Sequence, residues 1–255
     1  MKGLIYPKCY SLYSGGKDSS TATDVLAKAG RLEAVVAFKT KLATPDWLHH
    51  VEKTCEERKW RLELYETPES YESLVMKYGF PGPGVHSTFM SYLKGRCVRQ
   101  FKKAHPDGIL ASGVRLGESQ RRAGSTKPFG QWEGAPILAP IYDWTDEETW
   151  AYFHDEGFER APAYCTLQIS GDCLCGSFAR EGEREAGEFH YPQIFGGFKD
   201  LGNARAEQMR RNGKKPTRCE WGWGWQQPVK KPKNDGERMV CAECAPRDLF
   251  EEQPA

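Results

Sequence analysis

From residue 9 onward, short runs of β-branched and aromatic residues alternate with stretches whose apolar positions repeat every three or four residues. That rhythm predicts an open, mostly parallel twisted sheet flanked by helices, an α/β fold, because a strand covered on both faces reads as a near-continuous apolar run. Cys9 to Tyr13 is the first predicted strand. Ala22, Val25, Leu26 and Ala29 then mark the buried stripe of a helix, with Gly30 where a C-terminal cap belongs. Glu33 to Phe38 reads as the second strand. Thr44 followed by Pro45 has the form of an N-cap with proline in the first turn, and Leu48, Val51 and Cys55 give that helix its inner face. Arg61 to Tyr65 is a third strand.

Gly79-Phe80-Pro81-Gly82-Pro83-Gly84 is read as loop, since glycine and proline in alternation interrupt any regular backbone. Beyond it, Met90, Leu93, Cys97, Phe101 and Ala104 line one face of a long helix, with Lys94, Arg96, Arg99, Lys102 and Lys103 as its charged side. Gly108 to Ser112 reads as a buried strand running into an arginine-rich loop. Thr145-Asp146-Glu147-Glu148 is a capping box with three acids at the positive end of the dipole, opening a helix through Trp150 and Phe153. That helix closes the α/β domain near residue 160, so residues 1–162 are expected as one domain. After Pro162 the rhythm gives way to cysteines, glycines, tryptophans and a basic stretch, Lys230, Lys231 and Lys233. Residues 163–255 are expected to form a cysteine-rich, metal-stabilised C-terminal cap, with Glu251 to Ala255 frayed.

Composition narrows the function classes. The 255 residues suffice for one large domain with an appendage, and 36 basic against 35 acidic side chains leave a formal charge of +1. No global charge excess draws the chain to polyanions, so any nucleic-acid contact is local. The longest apolar stretches, such as Ala34 to Phe38, fall far short of the ~20 residues a membrane helix needs. Met1 to Pro7 does not run into the apolar core of a secretory signal. The expectation is a soluble cytoplasmic protein without membrane contact. Of nine cysteines, Cys9, Cys55 and Cys97 are scattered through predicted core, whereas the other six crowd between Cys165 and Cys244. An odd total with pairs one or two residues apart suits a metal better than a disulfide framework.

The strongest local signal is Ser14-Gly15-Gly16-Lys17-Asp18-Ser19-Ser20, lying between the first strand and an amphipathic helix. There, free backbone amides and the helix dipole favour a phosphate, and two glycines let the backbone approach it closely. Lys17 supplies a point charge, while Ser14, Ser19 and Ser20 can donate further hydrogen bonds. The string is not a Walker A loop: position 11 is Ser, and Asp18 stands where Ser or Thr should follow the lysine. A bare Gly-Gly would be an ordinary turn; the complete string in this setting points to a nucleotide outside the carboxyl end of the strand.

That string resembles the PP-loop of the adenine nucleotide α-hydrolase-like superfamily, which includes N-type ATP pyrophosphatases and the sulfonucleotide (PAPS/APS) reductases. Arg96-Cys97, Lys102, Pro106 and then Gly113 to Arg122 look like the second nucleotide loop of the PAPS reductase-like family. Pro140-Ile141-Tyr142-Asp143-Trp144-Thr145, with Trp150 beyond, resembles that family's next motif in the same order. The likeness covers about residues 9 to 180 and is closest in character to phage-borne PAPS-reductase-like and DNA phosphorothioation sulfur-transfer proteins. It implies an open parallel sheet binding ATP, or PAPS or APS.

Arg115, Arg121 and Arg122 with Glu118 form a second constellation. Planar guanidinium groups match the spread negative charge of a phosphoanhydride or phosphosulfate and stabilise charge growing on a leaving group. The resemblance makes Ser14 to Ser20, with Gly113, Arg115, Glu118 and Arg122, the nucleotide-binding set, and Lys17, Asp18 and Arg115 the catalytic one. Asp18, acidic beside phosphates, is a candidate Mg2+ ligand.

Cys165, Cys173 and Cys175 followed by Cys241 and Cys244 give five thiols, one more than a tetrahedral zinc site or a cubane cluster requires. Spacing does not decide between Zn2+ and iron–sulfur. The resemblance tilts the reading to a 4Fe-4S cluster. Cys219 and the Trp221, Trp223 and Trp225 run are read as structural packing. A redox tail of the reductase kind is matched only by Glu243-Cys244. The leading expectation is therefore an ATP pyrophosphatase that activates an acceptor for sulfur transfer, with a donor protein such as a cysteine desulfurase and nucleic acid as one acceptor class. A sulfonucleotide reductase using thioredoxin is the first alternative. A zinc-stabilised nucleic-acid-binding protein is the second, its basic surface formed by Lys199, Arg205, Arg210, Arg211, Lys214, Lys215 and Arg218.

Overall fold

The computed structural model describes residues 8–118 and 127–226. Six strands form one sheet in the order β3-β2-β1-β4-β6-β5, parallel throughout except for the edge pair β5–β6. They are β1 (Cys9–Leu12), β2 (Leu32–Lys39), β3 (Leu62–Glu66), β4 (Leu110–Ala111), β5 (Phe129–Trp132) and β6 (Ala135–Leu138). In β2, Ala34, Val35, Val36 and Ala37 are all buried, which requires helices over both faces. Phe101, Cys97 and Val98 pack against one face, and Trp47, Val51 and Cys55 against the other.

α1 (Lys17–Lys28) links β1 to β2, α2 (Trp47–Glu57) links β2 to β3, and the chain then crosses β1 to place β4 on its other side. The expected N-cap at Thr44 is not where α2 begins. Asp46 precedes its first turn and makes no side-chain cap bond, while Thr44 lies outside the helix with its amide bonded to the Gly171 carbonyl at 2.8 Å. α3 (Tyr71–Tyr78), unread in the sequence, follows β3. The segment 79–84 is largely loop as expected, except that Pro83–Val85 closes a single 3-10 turn.

The predicted long helix is continuous but starts earlier: α4 (His86–Met90) passes through a π-helical turn (Ser91–Gly95) into α5 (Arg96–Ala104). Gly95, at the end of this turn, lets the β5–β6 hairpin approach. A Cβ on Gly95 would stand 2.6 Å from Glu133 Oε1, and Ser91 Oγ donates to that same oxygen at 3.0 Å. Glu133 and Gly134, both at positive φ, form the two-residue turn of the hairpin.

α6 (Asp146–Asp155) carries the predicted capping box: Glu148 N donates to Thr145 Oγ1, and Thr145 N to Glu148 Oε2. Three more helices follow, α7 (Ala163–Leu167), α8 (Glu183–His190) and α9 (Pro192–Arg211). Leu167, Leu174, Phe195, Phe198 and Trp221 share one apolar cluster with Leu42, Tyr71, Leu74, Phe80 and Phe89. Residues 163–226 thus pack directly onto the helical layer beside the sheet. Trp221 and Trp223 are packing residues, donating their indole N–H groups to Leu174 O at 2.7 Å and Phe80 O at 2.6 Å. Arg205 departs from the expected basic surface: it is buried and its guanidinium donates to the Val75 and Met76 carbonyls, satisfying the end of α3. No described helix is long and apolar enough to cross a membrane.

Candidate active site

The order β3-β2-β1-β4 makes the gap between β1 and β4 the switch point of the sheet, where chain connections leave in opposite directions and a crevice opens beyond the strand ends. A cavity of about 720 Å³ lies there. Its floor is Leu12 and Tyr13 after β1, Val36 and Phe38 of β2, and Ser112 and Gly113 after β4.

The glycine loop borders this cavity, and Ser14, Gly16, Asp18 and Ser19 line it. Gly15 takes φ +80°, a conformation open to glycine, and Gly16 caps α1 without a side-chain bond, leaving the first amides of the helix for a ligand. Ser19 Oγ donates to the Gly16 carbonyl at 2.8 Å and stands 3.2 Å from Ser14 Oγ, so these two hydroxyls brace the bend. Ser20 is turned away. Its hydroxyl lies 3.1 Å from Tyr13 OH inside the core, where it ties α1 to the residue that follows β1. Gly113 is pressed onto the first turn of α1: a Cβ there would come within 2.5 Å of the Asp18 carbonyl group and 2.7 Å of the Ser19 nitrogen.

Lys17 and Arg115 converge from opposite sides on two carboxylates. Lys17 Nζ donates to Asp18 Oδ1 at 2.9 Å and to Asp146 Oδ1 at 2.7 Å. Arg115 donates from Nε to Asp18 Oδ1 and from Nη2 to Asp146 Oδ1, both at 2.5 Å. The four charges close a ring in which Asp18 faces the cavity and both cations sit behind it, their side chains 9% and 4% exposed. Burial alone would raise the Asp146 carboxyl, but Lys17 and Arg115 outweigh it and hold the group below the usual aspartate range. Burial likewise opposes the Arg115 charge, and Asp18 with Asp146 restores it. Lys17 Nζ also lies 5.4 Å from the centre of the Trp150 ring. Asp146 was read in the sequence only as a helix-start acid. Nothing in a run of three acids at an N-terminus distinguishes the one that turns inward.

The far side of the cavity is built by α4, the π-turn and residues 164–183. Lys94, expected on a charged outer face, points inward and pairs with Asp172, whose other oxygen accepts from Ser170 Oγ at 2.9 Å. Burial works against its charge, yet Asp172 and the neighbouring thiols hold the ammonium above the ordinary lysine range. Cys173 and Cys175 line the same wall and share a hydrogen bond that lifts the Cys173 thiol. Together with hydrogen bonds to His86 and Ser177, it holds Cys175 well below the ordinary thiol range.

Cys165 is exposed on α7, and among the described residues no group of three His, Cys, Asp or Glu side chains is placed to hold a metal ion. The described residues therefore offer a two-thiol pair and do not by themselves fit a four-ligand cluster. Cys241 and Cys244 lie outside the described residues, as do Arg121 and Arg122. Of Glu118 only the backbone is described, in a 3-10 turn, Leu116–Glu118.

Residues 8–170 match the family model described as the phosphoadenosine phosphosulfate reductase domain. The chain belongs to this family. No curated protein matches it. Among solved structures, it is similar to a phosphoadenylyl-sulfate (PAPS) reductase from Candida auris in a phosphate complex, with 17% identity and a TM-score of 0.44 over 62% of this chain and 76% of that one. It is also similar to a U34-tRNA thiolase from Methanococcus maripaludis solved with its 4Fe-4S cluster, at 13% identity and a TM-score of 0.46 over 79% of this chain and 71% of that one. An FMN adenylyltransferase from Candida glabrata, in complex with FAD and inorganic pyrophosphate, matches at 16% identity and a TM-score of 0.39 over 57% of this chain. The match covers 48% of that enzyme, about half its length. Membership in the family makes this chain a nucleotide-binding enzyme of sulfur chemistry.

Proposed function

We propose that the chain is an ATP pyrophosphatase that activates an acceptor for sulfur transfer. The observation that carries this reading is the meeting of the glycine loop, Gly113 and the Lys17–Arg115 cation pair at the switch point of the sheet. The amides of Gly16 and the first turn of α1 receive the β- and γ-phosphates. An acceptor oxygen attacks the α-phosphorus; the new oxygen–phosphorus bond forms as the α–β bridging bond breaks, and pyrophosphate departs with the electron pair. Charge grows on that leaving group, so Lys17 and Arg115 exchange their carboxylate partners for its oxygens. Asp18 and Asp146, released from the cations, would be the carboxylates to hold a Mg2+ accompanying the nucleotide, which would draw charge from the phosphate oxygens. The adenylated acceptor is then open to a sulfur nucleophile, and AMP leaves.

Incubation with ATP and candidate acceptors should release pyrophosphate, and Lys17→Ala should lower that release by at least 100-fold, in line with loss of a leaving-group cation. Orthophosphate as the product would sink this reading. A second reading, sulfonucleotide reduction, is favoured by one observation: Cys173 and Cys175 line the nucleotide cavity. It requires two thiols to become a disulfide as PAPS or APS yields sulfite, with thioredoxin restoring the thiols. Sulfite formed in proportion to thioredoxin oxidised would select it.

A further inference from the structure

One buried polar atom behind the glycine loop has no partner. His50 lies on α2 one turn beyond Trp47 and is only 5% exposed. Its Nε2 is shielded from solvent and makes no hydrogen bond of good geometry among the described residues, although the Gly15 backbone already lies near enough to pull on the ring. The ring packs against Gly15 and does not line the cavity: a Cβ built on Gly15 would stand 3.0 Å from His50 Cδ2 and 3.5 Å from Nε2. α2 already holds the preceding residue, since Trp47 Nε1 donates to the Ser14 carbonyl at 2.9 Å. The bonds of the loop amides are long by comparison, 3.3 Å from Ser14 N to Ser19 Oγ and 3.4 Å from Gly16 N to Ser14 Oγ. Such amides are loosely held and free to turn towards an anion.

An orphaned donor in a buried setting is costly, and a phenyl ring would fill the same space without that cost. The cost is recovered if a second setting of the loop uses the donor. We infer that His50 is a positioning residue for the glycine loop, its Nε2–H reserved for the Gly15 carbonyl, which takes it up when phosphate draws the loop amides forward. Two features of α2 then act together. Trp47 fixes where the loop begins, and His50 fixes how its first glycine peptide is aimed. Burial keeps the imidazole uncharged at neutral pH against the pull of the Gly15 backbone, Glu159 and Glu57, with Lys53 acting alongside burial.

The inference rests on the nucleotide reading above, and calorimetric titration of ATP and of adenosine separates the two. Wild type, His50→Phe and His50→Gln are compared at pH 7.5. His50→Phe should bind ATP roughly tenfold more weakly, the effect of one hydrogen bond, while adenosine affinity stays unchanged because the loop holds only phosphates. His50→Gln, whose amide nitrogen reaches the position of Nε2, should recover most of the loss. Equal ATP affinity in wild type and His50→Phe would overturn the inference, as would equal weakening towards ATP and adenosine, or no recovery in His50→Gln. Wild type binding adenosine without preferring ATP would instead overturn the phosphate reading itself. Should His50→Phe fail to fold, nitrogen-15 NMR of wild type decides: ATP should shift His50 Nε2 towards a hydrogen-bonded donor, and an unmoved signal refutes the role.

Discussion

Replacing Asp146 by Asn separates what the charge ring does for the fold from what it does for an anion, because the two effects have opposite signs. Asp146 Oδ1 accepts from Lys17 at 2.7 Å and from Arg115 at 2.5 Å, and both cations are almost wholly buried. Removing one partner of a fully buried pair costs about 3–5 kcal/mol. Here Asp18 still bonds both cations and the Asp146 side chain is 29% exposed, so the expected loss is smaller, about 2 kcal/mol. For a chain of this size that is a fall of about 4–8 °C in melting temperature. The same change leaves one net positive charge beside the glycine loop. At an effective dielectric of about 20 and about 6 Å, that charge attracts an anion by about 3 kcal/mol, which exposure and salt reduce to roughly 1 kcal/mol, about fivefold in affinity.

Circular-dichroism melts and calorimetric titration of pyrophosphate in metal-free buffer read the two quantities on one sample. A variant that melts with wild type and binds pyrophosphate no better would refute the reasoning. The pH dependence gives a further check. The folded Asp146 carboxyl is held below its unfolded value, so its stabilisation is complete above about pH 4 and is lost as pH falls through the folded value. Asp146→Asn should therefore show a shallower acid loss of stability than wild type.

Gly113→Ala places a methyl group within 2.5 Å of the Asp18 backbone, which cannot yield without moving the first turn of α1. It should cost about 1–3 kcal/mol and weaken ATP more than adenosine; unchanged ATP binding would show that the two loops do not act as one. Alkylation with iodoacetamide at pH 8, followed by peptide mass mapping, should modify exposed Cys165 while sparing Cys9, Cys55 and Cys97, since burial pushes Cys9 and Cys97 to about 11 and Cys55 to about 12. Early modification of any of those three would contradict their place in the core.

The centre of the parallel sheet was legible because Ala34 to Phe38 form a compact apolar run, all five buried, the mark of a strand covered on both faces; β3, Leu62–Glu66, was read from its alternating Leu, Leu and Tyr, and there Leu64 is exposed. The hairpin β5–β6 was not, since Phe129 and Gln131 are exposed and its turn is Glu133-Gly134 instead of the commoner Asn-Gly. Local chemistry placed the glycine loop and the capping box correctly in sequence. It could not show which way a charged side chain faces. Lys94 falls on the polar stripe of its helix by spacing, yet the π-turn at Ser91–Gly95 rotates it towards Asp172, and Arg205 is drawn inward by two carbonyls some 130 residues away in sequence. Tertiary partners decided these cases, and no window of sequence contains them.

The same limitation bears on how the residues beyond 162 serve the site. Gly171 allows the closest approach: a Cβ there would meet Thr44 Oγ1 at 2.5 Å, while Ser170 Cβ stands 3.2 Å from the corresponding point on Gly16. Thr44 N bonds the Gly171 carbonyl, and Thr40 Oγ1 bonds the Asp172 carbonyl at 3.1 Å. These contacts stitch the segment after α7 to the carboxyl ends of the strands and set it over the glycine loop. Without that segment the crevice at the switch point would be an open shelf, where water competes for every phosphate oxygen and screens Lys17 and Arg115. With it, the crevice becomes a walled cavity whose far side carries Lys94, Cys173 and Cys175. On the proposed reading, the segment that would enclose the phosphates also sets a pair of thiols in the same enclosure, as transfer of sulfur to a group activated there would require.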